Sequence, residues 1–131
     1  MSTSTSPSTD SEGKPLHSYR GNCHCGSFIF TLTVPEIKEA ENCNCSICRK
    51  KGYLWVIPDT TKGHKFEVAK DEGKLTEYVT GPKGSKHKFC GECGTGVYAY
   101  CEKDEKEKGR GYWVNVKAIQ ELNVWGLEVK E

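Results

Sequence analysis

Short stretches of alternating apolar and polar residues run along most of the chain. The clearest one places Phe28, Phe30, Leu32 and Val34 on one face of a strand, because successive strand side chains point to opposite faces. The continuous apolar run at residues 53–57 (YLWVI) is more typical of a strand that is buried on both faces. Further strands are predicted at residues 65–69, 75–79, 86–89, 97–101 and 112–116.

The helical signal is weak by comparison. Ser46–Lys51 and residues 117–122 (KAIQEL) could each form one helical turn. The length of 131 residues suits a single domain. We therefore predict a mainly β domain over residues 15–131, with few short helical turns. A disordered Ser/Thr-rich tail is predicted over residues 1–14, and a solvated loop over the charged residues 102–110.

Composition and charge narrow the possible function. The chain has 19 Lys and Arg against 18 Asp and Glu, a formal net charge of +1, which argues against a protein built to bind nucleic acid. It contains no apolar run of the length that a membrane span requires. The first residues lack the apolar region of a secretory signal and the arginines of a mitochondrial presequence. We therefore expect a cytoplasmic, reducing environment.

The eight cysteines are the most informative residues. In a reducing compartment, clustered cysteines indicate metal binding or catalysis rather than disulfides. Each outer cluster holds two thiols followed by glycine, the zinc-knuckle pattern: Cys23 and Cys25 with Gly26, and Cys90 and Cys93 with Gly94. A glycine there permits a tight turn with positive φ. Four sulfurs form the closed tetrahedral set of a structural zinc site, and we expect folding to depend on it.

The middle cluster, Cys43, Cys45 and Cys48, has a different composition. Three thiols within six residues are too close together to serve two separate sites. Three protein ligands with an open fourth position are typical of a catalytic zinc, which would lower the pKa of a bound thiol or water. These three cysteines are therefore the candidate catalytic residues.

Other interpretations of the cysteines stay open at this point. The middle cluster could be a structural site completed by His24, His64 or His87, or a reactive-thiol site without metal. Cys101 stands alone and is expected to pack in a strand as a small apolar residue.

Three cysteine-containing stretches resemble the glutathione-dependent formaldehyde-activating enzyme family. They are residues 21–26 (GNCHCG), 43–48 (CNCSIC) and 87–95 (HKFCGECGT). Centromere protein V shares this domain, and residues 42–52 (NCNCSICRKKG) are especially similar to that branch. The resemblance spans about residues 16–129. The length is that of the short fungal-type members, so we expect the C-terminal extension of the bacterial enzyme to be absent.

The resemblance implies a zinc-stabilised, Mss4-like β-sheet fold with two zinc ions. The family motif assigns Cys23, Cys25, Cys90 and Cys93 to a structural zinc. It assigns Cys43, Cys45 and Cys48 to a catalytic zinc. This division agrees with the one reached above by counting ligands. Two zinc ions bound to these thiolates would leave the domain slightly acidic, which also disfavours nucleic acid.

The resemblance further implies carbon–sulfur lyase chemistry on thiol–aldehyde adducts. Glutathione is then the co-substrate, and formaldehyde or a related small aldehyde is its partner. Arg49, Lys50 and Lys51 follow the last ligand and could attract the carboxylates of glutathione, or they are solvated charges at a turn. His87 is either a proton shuttle or a hydrogen-bonded strand histidine. The alternative function is a non-catalytic, zinc-stabilised binding module.

Overall fold

The computed structural model describes residues 9–43, 45–80, 84–101, 111–120 and 122–130. Ten strands lie within these residues: β1 (Leu16–Asn22), β2 (Phe28–Pro35), β3 (Glu39–Glu41), β4 (Trp55–Val56), β5 (Lys65–Asp71), β6 (Leu75–Thr80), β7 (Ser85–Cys90), β8 (Gly96–Tyr100), β9 (Tyr112–Asn115) and β10 (Glu128–Lys130). The helical elements described are α1 (Ser46–Lys51) and three 3₁₀ turns, at Thr60–Lys62, Val116–Ala118 and Val124–Gly126. The prediction of a mainly β chain with few helical turns is confirmed.

The strands form two sheets that pack around one main core. The smaller sheet has the order β1-β2-β5, and the larger has the order β10-β3-β4-β9-β8-β7-β6. Neighbouring strands are antiparallel except for β10, which pairs with β3 in parallel. The buried face of β2 is the one that its alternating pattern predicted. Its side chains share a core cluster with Val97 and Val114 of the other sheet and with Val116, which directly follows β9.

The apolar run at residues 53–57 forms a shorter strand than its length suggested. Only Trp55 and Val56 pair as a strand, between β3 and β9. Tyr53 and Trp55 are buried in a second, smaller apolar cluster, whereas Leu54 and Val56 pack against the main core and stay partly exposed. The run is apolar throughout because each of its faces meets a different cluster.

Three strands were not predicted from the pattern. β1, β3 and β10 contain mostly polar residues. Their backbones complete the sheets, and β1 and β10 are edge strands with few side chains in the core. A pattern of apolar residues cannot reveal such strands, because backbone hydrogen bonds carry no sequence signature. Of the turn predicted at residues 117–122, the structure has a 3₁₀ turn that ends at Ala118, and residue 121 lies outside the described part.

Part of the predicted tail packs on the domain. The Asp10 side chain is only 1% exposed, and its Oδ1 accepts hydrogen bonds from the backbone N–H groups of Glu12 and Lys14, both at 2.9 Å. Its Oδ2 lies 3.4 Å from Nε2 of His64. Residues 9–14 therefore form an anchored turn, because one carboxylate satisfies several donors. Residues 1–8 and the predicted loop at 102–110 lie outside the described residues.

None of the helices in the described part of the chain has both the length and the apolarity that a membrane span requires.

Gly21 of β1 provides a test of how the smaller sheet is packed. Gly21 lies directly opposite Phe30 of β2, and a Cβ atom at position 21 would overlap the fully buried Phe30 ring. We expect Gly21→Ala to destabilise the domain by about 1–3 kcal/mol, because overpacking forces the ring out of place. The measurement is urea unfolding, with the exposed Ser18→Ala of the same strand as control. Equal midpoints for the two variants would contradict this packing.

Candidate functional site

The four outer cysteines form one cluster where the two sheets meet. Cys23 and Cys25 lie in the turn between β1 and β2, Cys90 ends β7, and Cys93 lies in the turn between β7 and β8. All four sulfur atoms lie within 4.8 Å of one another. The Sγ atom of Cys25 is 3.6 Å from that of Cys23 and 3.6 Å from that of Cys90. A tetrahedral zinc site with Zn–S bonds of about 2.3 Å has sulfur atoms about 3.8 Å apart, so the donor set fits zinc.

The backbone of these turns has the form that the glycine spacing predicted. Gly26 and Gly94 have φ values of 80° and 82°, a region that side chains other than glycine rarely adopt. The backbone N–H groups of Glu92 and Cys93 point at the Cys90 sulfur, at 3.4 and 3.5 Å. Such N–H groups stabilise a thiolate.

Two hydroxyl groups adjoin the same cluster and were not identified from the sequence. Ser27 Oγ is buried and lies 3.3–3.6 Å from three of the four sulfur atoms. Thr95 Oγ1 lies 3.2 Å from the Cys93 sulfur and accepts the N–H of His24. Groups that surround the ligands of a metal orient those ligands and tune their charge. The only sequence signal was a small hydroxyl residue directly after each knuckle glycine.

The three middle cysteines form a second group at the start of α1. Cys43 precedes the helix, Cys45 is its N-cap and Cys48 lies inside it. Their sulfur atoms lie within 4.8 Å of one another, and among the described residues no histidine or carboxylate joins this group. The predicted grouping of the three thiols is present. None of His24, His64 and His87 has a ring nitrogen within 4.8 Å of all three sulfur atoms.

Thiol pKa values in both clusters are shifted away from the ordinary value of cysteine. Burial raises the pKa of Cys93, but hydrogen bonds with Thr95 outweigh it and lower that pKa to about 5. In the middle group, burial and the neighbouring Cys45 raise the pKa of Cys48 to about 12. Adjacent thiols cannot all ionise together without a positive charge. A dication removes that penalty, which is why metal binding releases protons from such clusters.

The middle group opens onto a cavity of about 250 Å³. All three cysteines line it, and its apolar walls are formed by Ile47, Trp55, Ala99 and Trp113. A larger groove, of about 570 Å³, is lined by residues from β1, β2 and β3 and contains His17 and His64 but no cysteine. Among the cavities lined by the described residues, the smaller one is the candidate active site because it combines three clustered thiols with a largely apolar wall.

Comparison with known proteins identifies the family. The model of the family described as Glutathione-dependent formaldehyde-activating enzyme matches residues 18–126, a range that contains both cysteine clusters. The chain belongs to this family.

Two known proteins are similar to this chain, one in sequence and one in fold. A protein of Halomonas elongata named "Putative glutathione-dependent formaldehyde-activating enzyme" is 31% identical over 87 residues, which cover 61% of this chain and 54% of that protein. The chain therefore spans about half the length of this curated relative. The crystal structure of a Rhodobacter sphaeroides protein has a TM-score of 0.64 and 24% identity, covering 85% of this chain and 99% of that one. This second likeness shows the fold alone.

His87 is a strand residue, as one of its two predicted roles requires, but one of its ring nitrogens lacks a hydrogen bond in the described part of the chain. It lies in β7, is 5% exposed, and lines the cavity. Its Nδ1 atom is buried and has no hydrogen-bond partner within the described residues. The ring stacks on Tyr53, with centroids 5.8 Å apart. Burial, followed by the nearby charge of Lys51, lowers the pKa of His87, so the imidazole is neutral at physiological pH.

The positions of two other cavity residues were not predicted from the sequence. Cys101 follows β8 instead of lying within a strand, and it lines the cavity while partly exposed. Trp55 donates its indole N–H to the Cys48 sulfur at 3.3 Å. An isolated cysteine and a tryptophan in an apolar run carry no signal for such positions. Their roles depend on long-range strand pairing.

The three basic residues after Cys48 lie beside the cavity and not in its wall. Arg49, Lys50 and Lys51 form the exposed last turn of α1. The Lys51 ammonium lies over the Phe89 ring, 4.4 Å from its centroid. Arg49 and Lys50 line a separate groove with Ser46. None of the three is among the residues that line the thiol cavity, so any contact with a ligand would be made outside it.

The division of the cysteines into two kinds of site leads to a test. We expect Cys93→Ser to lose zinc and unfold, because the free energy of a structural zinc site, about 10–16 kcal/mol, is comparable with or larger than the stability of a domain. Cys45→Ser should lose one zinc ion per chain and stay folded, since serine is itself a good N-cap residue for α1. The measurements are metal content by mass spectrometry and far-UV circular dichroism.

The matched control is Cys101→Ser, which should retain both ions, because Cys101 is outside both ligand groups. An equal loss of stability in Cys45→Ser and Cys93→Ser would show that the division is wrong.

Proposed function

We propose that this chain is a zinc-dependent enzyme of the carbon–sulfur lyase type that forms and cleaves adducts between glutathione and formaldehyde or a related small aldehyde. The observation that carries the proposal is the group of three thiols in the wall of a half-open, largely apolar cavity. Membership of the family supports a glutathione-related function. We further propose that the enzyme acts in the reducing cytoplasm, where these thiols and glutathione stay reduced.

Two zinc ions are proposed, with different roles. Cys23, Cys25, Cys90 and Cys93 would hold a structural ion, and Cys43, Cys45 and Cys48 would hold the second ion at the cavity. When bound, the second ion would supply Lewis-acid stabilisation of a thiolate. The first would hold the two sheets together.

The proposed reaction is an addition without a redox change. The thiol sulfur forms a bond to the carbonyl carbon, while the π bond of the carbonyl breaks. The proton of the thiol ends on the former carbonyl oxygen, which gives an S-hydroxyalkyl product, and the reverse reaction releases the aldehyde. The protein must therefore favour the thiolate, exclude water and accommodate one proton in transit.

The side chains around the cavity suit these three tasks. Trp55 donates its N–H to Cys48, which orients that sulfur and moderates its charge. The apolar walls exclude water from the reacting carbonyl. His87 lines the cavity and offers a neutral imidazole, and such a group can accept or return a proton at the substrate oxygen.

The basic residues are proposed to act outside the cavity. Glutathione carries two carboxylates, which would remain at the mouth because the cavity is smaller than the roughly 300–1,000 Å³ of typical ligand pockets. Arg49, Lys50 and Lys51 lie on the helix that carries the thiols. We propose that they attract those carboxylates, with Arg49 and Lys50 the more available because Lys51 lies over Phe89.

The activity is tested with the zinc-loaded protein, glutathione and formaldehyde. We expect formation of the S-hydroxymethyl adduct well above the uncatalysed rate, observed by NMR exchange spectroscopy. Cys45→Ser should reduce the reaction to the uncatalysed rate, because the open site loses a ligand. Trp125→Phe, at a fully exposed position, serves as the control.

A wild-type protein that binds two zinc ions but does not exceed the uncatalysed rate would overturn the enzyme proposal. The non-catalytic binding module would then be the better description of the chain.

The role of His87 has its own test. We expect His87→Phe to keep both zinc ions and to lower kcat by about a hundredfold, the usual size of a lost proton-transfer group. His87→Gln should recover part of the rate, because its amide can still form a hydrogen bond with the substrate oxygen. The control is His17→Phe, at an exposed position of β1. Full activity in His87→Phe would restrict His87 to packing.

A further inference from the structure

One small side chain, that of Ala99, lies between two rings in the wall of the cavity. Ala99 of β8 is the direct cross-strand neighbour of His87 on β7 and of Trp113 on β9. Directly opposed residues in adjacent strands lie on the same face of a sheet. The methyl group of Ala99 therefore leaves a gap between the imidazole and the indole, and all three residues line the cavity.

Packed aromatic rings form much of the wall around this gap. Trp113 packs edge-on against Trp55, with ring centroids 6.0 Å apart and an interplanar angle of 82°. Trp55 is 1% exposed and packs in turn against Tyr53 in a tilted arrangement. Ile47 of α1 completes the wall on the side of the thiols. These contacts hold both indole rings beside the gap.

The volume of the cavity exceeds what a formaldehyde adduct needs. A cavity of about 250 Å³ equals roughly eight water-sized volumes of about 30 Å³. The reacting part of a glutathione–formaldehyde adduct is the sulfur, its methylene, the former carbonyl carbon and one oxygen. Together with the proposed zinc ion, these atoms would occupy roughly half of that space.

Water is a poor occupant of the remaining half. An ordered water needs several polar partners, and cavities lined by apolar side chains tend to stay dry. The polar lining residues, His87 among them, can serve the single oxygen of the adduct. The gap beside Ala99, Ile47 and Trp113 favours apolar atoms instead.

From this geometry we propose that the preferred aldehyde carries a short apolar substituent and that Ala99 sets the limit on its length. The inference rests on the proposed function and specifies its substrate class: aliphatic aldehydes with up to about four carbon atoms beyond the carbonyl, in place of formaldehyde alone. Each buried methylene should raise kcat/KM, relative to the uncatalysed reaction, about fourfold until the space is full.

The kinetic test compares aldehydes of increasing length with glutathione and the zinc-loaded protein. For each aldehyde, kcat/KM is divided by the rate constant of the uncatalysed addition, which removes differences in intrinsic reactivity. We expect this ratio to rise from formaldehyde through acetaldehyde and propanal to butanal or pentanal, and to fall for octanal. A ratio that is flat, or highest for formaldehyde, would overturn the inference.

Two variants should move the preference in opposite directions. Ala99→Val fills the gap and should shift the optimum to shorter aldehydes, whereas Ile47→Ala enlarges the cavity and should shift it to longer ones. Ala118→Val is the matched control, because Ala118 has the same 6% exposure as Ala99 but does not line the cavity. An unchanged optimum in both cavity variants would contradict the role assigned to Ala99.

A binding measurement tests the same point without turnover. S-methyl-, S-propyl-, S-butyl- and S-octylglutathione are stable analogues of the adducts. Their binding can be followed by the fluorescence of Trp55 and Trp113 in a Trp125→Phe background, which removes the 97% exposed third tryptophan. We expect affinity to rise about fourfold per methylene up to the butyl analogue, and Ala99→Val to abolish that rise.

The outcomes separate this inference from the proposed function. Turnover of formaldehyde with no gain for longer aldehydes overturns the substrate class and leaves the proposed function standing. Absence of turnover for every aldehyde overturns the proposed function, and the substrate class with it.

Discussion

The repulsion among closely placed thiolates is the constraint on which the rest of the structure depends. The two sheets of this domain meet where two cysteine turns face each other, and one sheet contributes only three strands. Four sulfur atoms within 4.8 Å cannot all be ionised unless a cation balances them. Without a cation, the negative charge of the thiolates destabilises this junction. A bound dication neutralises that charge and links the two turns strongly. Serine and threonine hydroxyls beside the sulfurs add to that balance.

Strand β7 connects this junction to the candidate active site. It ends at Cys90, a member of the four-thiol cluster, and carries His87 toward the cavity three residues earlier. The register between β7 and β8 shifts between Lys88 and Phe89, and such irregularities re-aim the side chains of a strand. One strand can therefore supply a ligand to one cluster and a lining residue to the other. We therefore expect that disruption of the four-thiol cluster would displace His87 as well.

The cysteine groups could be predicted from the sequence because their chemistry is local. Each pair or triplet of thiols is set by spacing along the chain, and the pairing of distant turns follows from the number of ligands that zinc requires. The strand β2 could also be predicted, from its long alternation of apolar and polar residues. The environment of the site could not be predicted, because it depends on cross-strand neighbours. The missing hydrogen bond of His87, the indole donor of Trp55 and the position of Cys101 all result from long-range pairing between strands. The anchored turn at Asp10 was missed for a similar reason, since His64 is distant in sequence.

The difference between local cysteine motifs and long-range packing also explains why membership of the family does not determine the substrate. The cysteine motifs determine where positive charge can be held and therefore which class of chemistry is available. The walls of the cavity are supplied largely by Trp55, Ala99 and Trp113, which lie outside those motifs on three different strands. A change in one of these side chains alters the volume next to the thiols without altering the thiols themselves. Reaction type and substrate size can therefore vary independently on this fold, and the width of the gap at Ala99 is a property of this chain and not of the family motif.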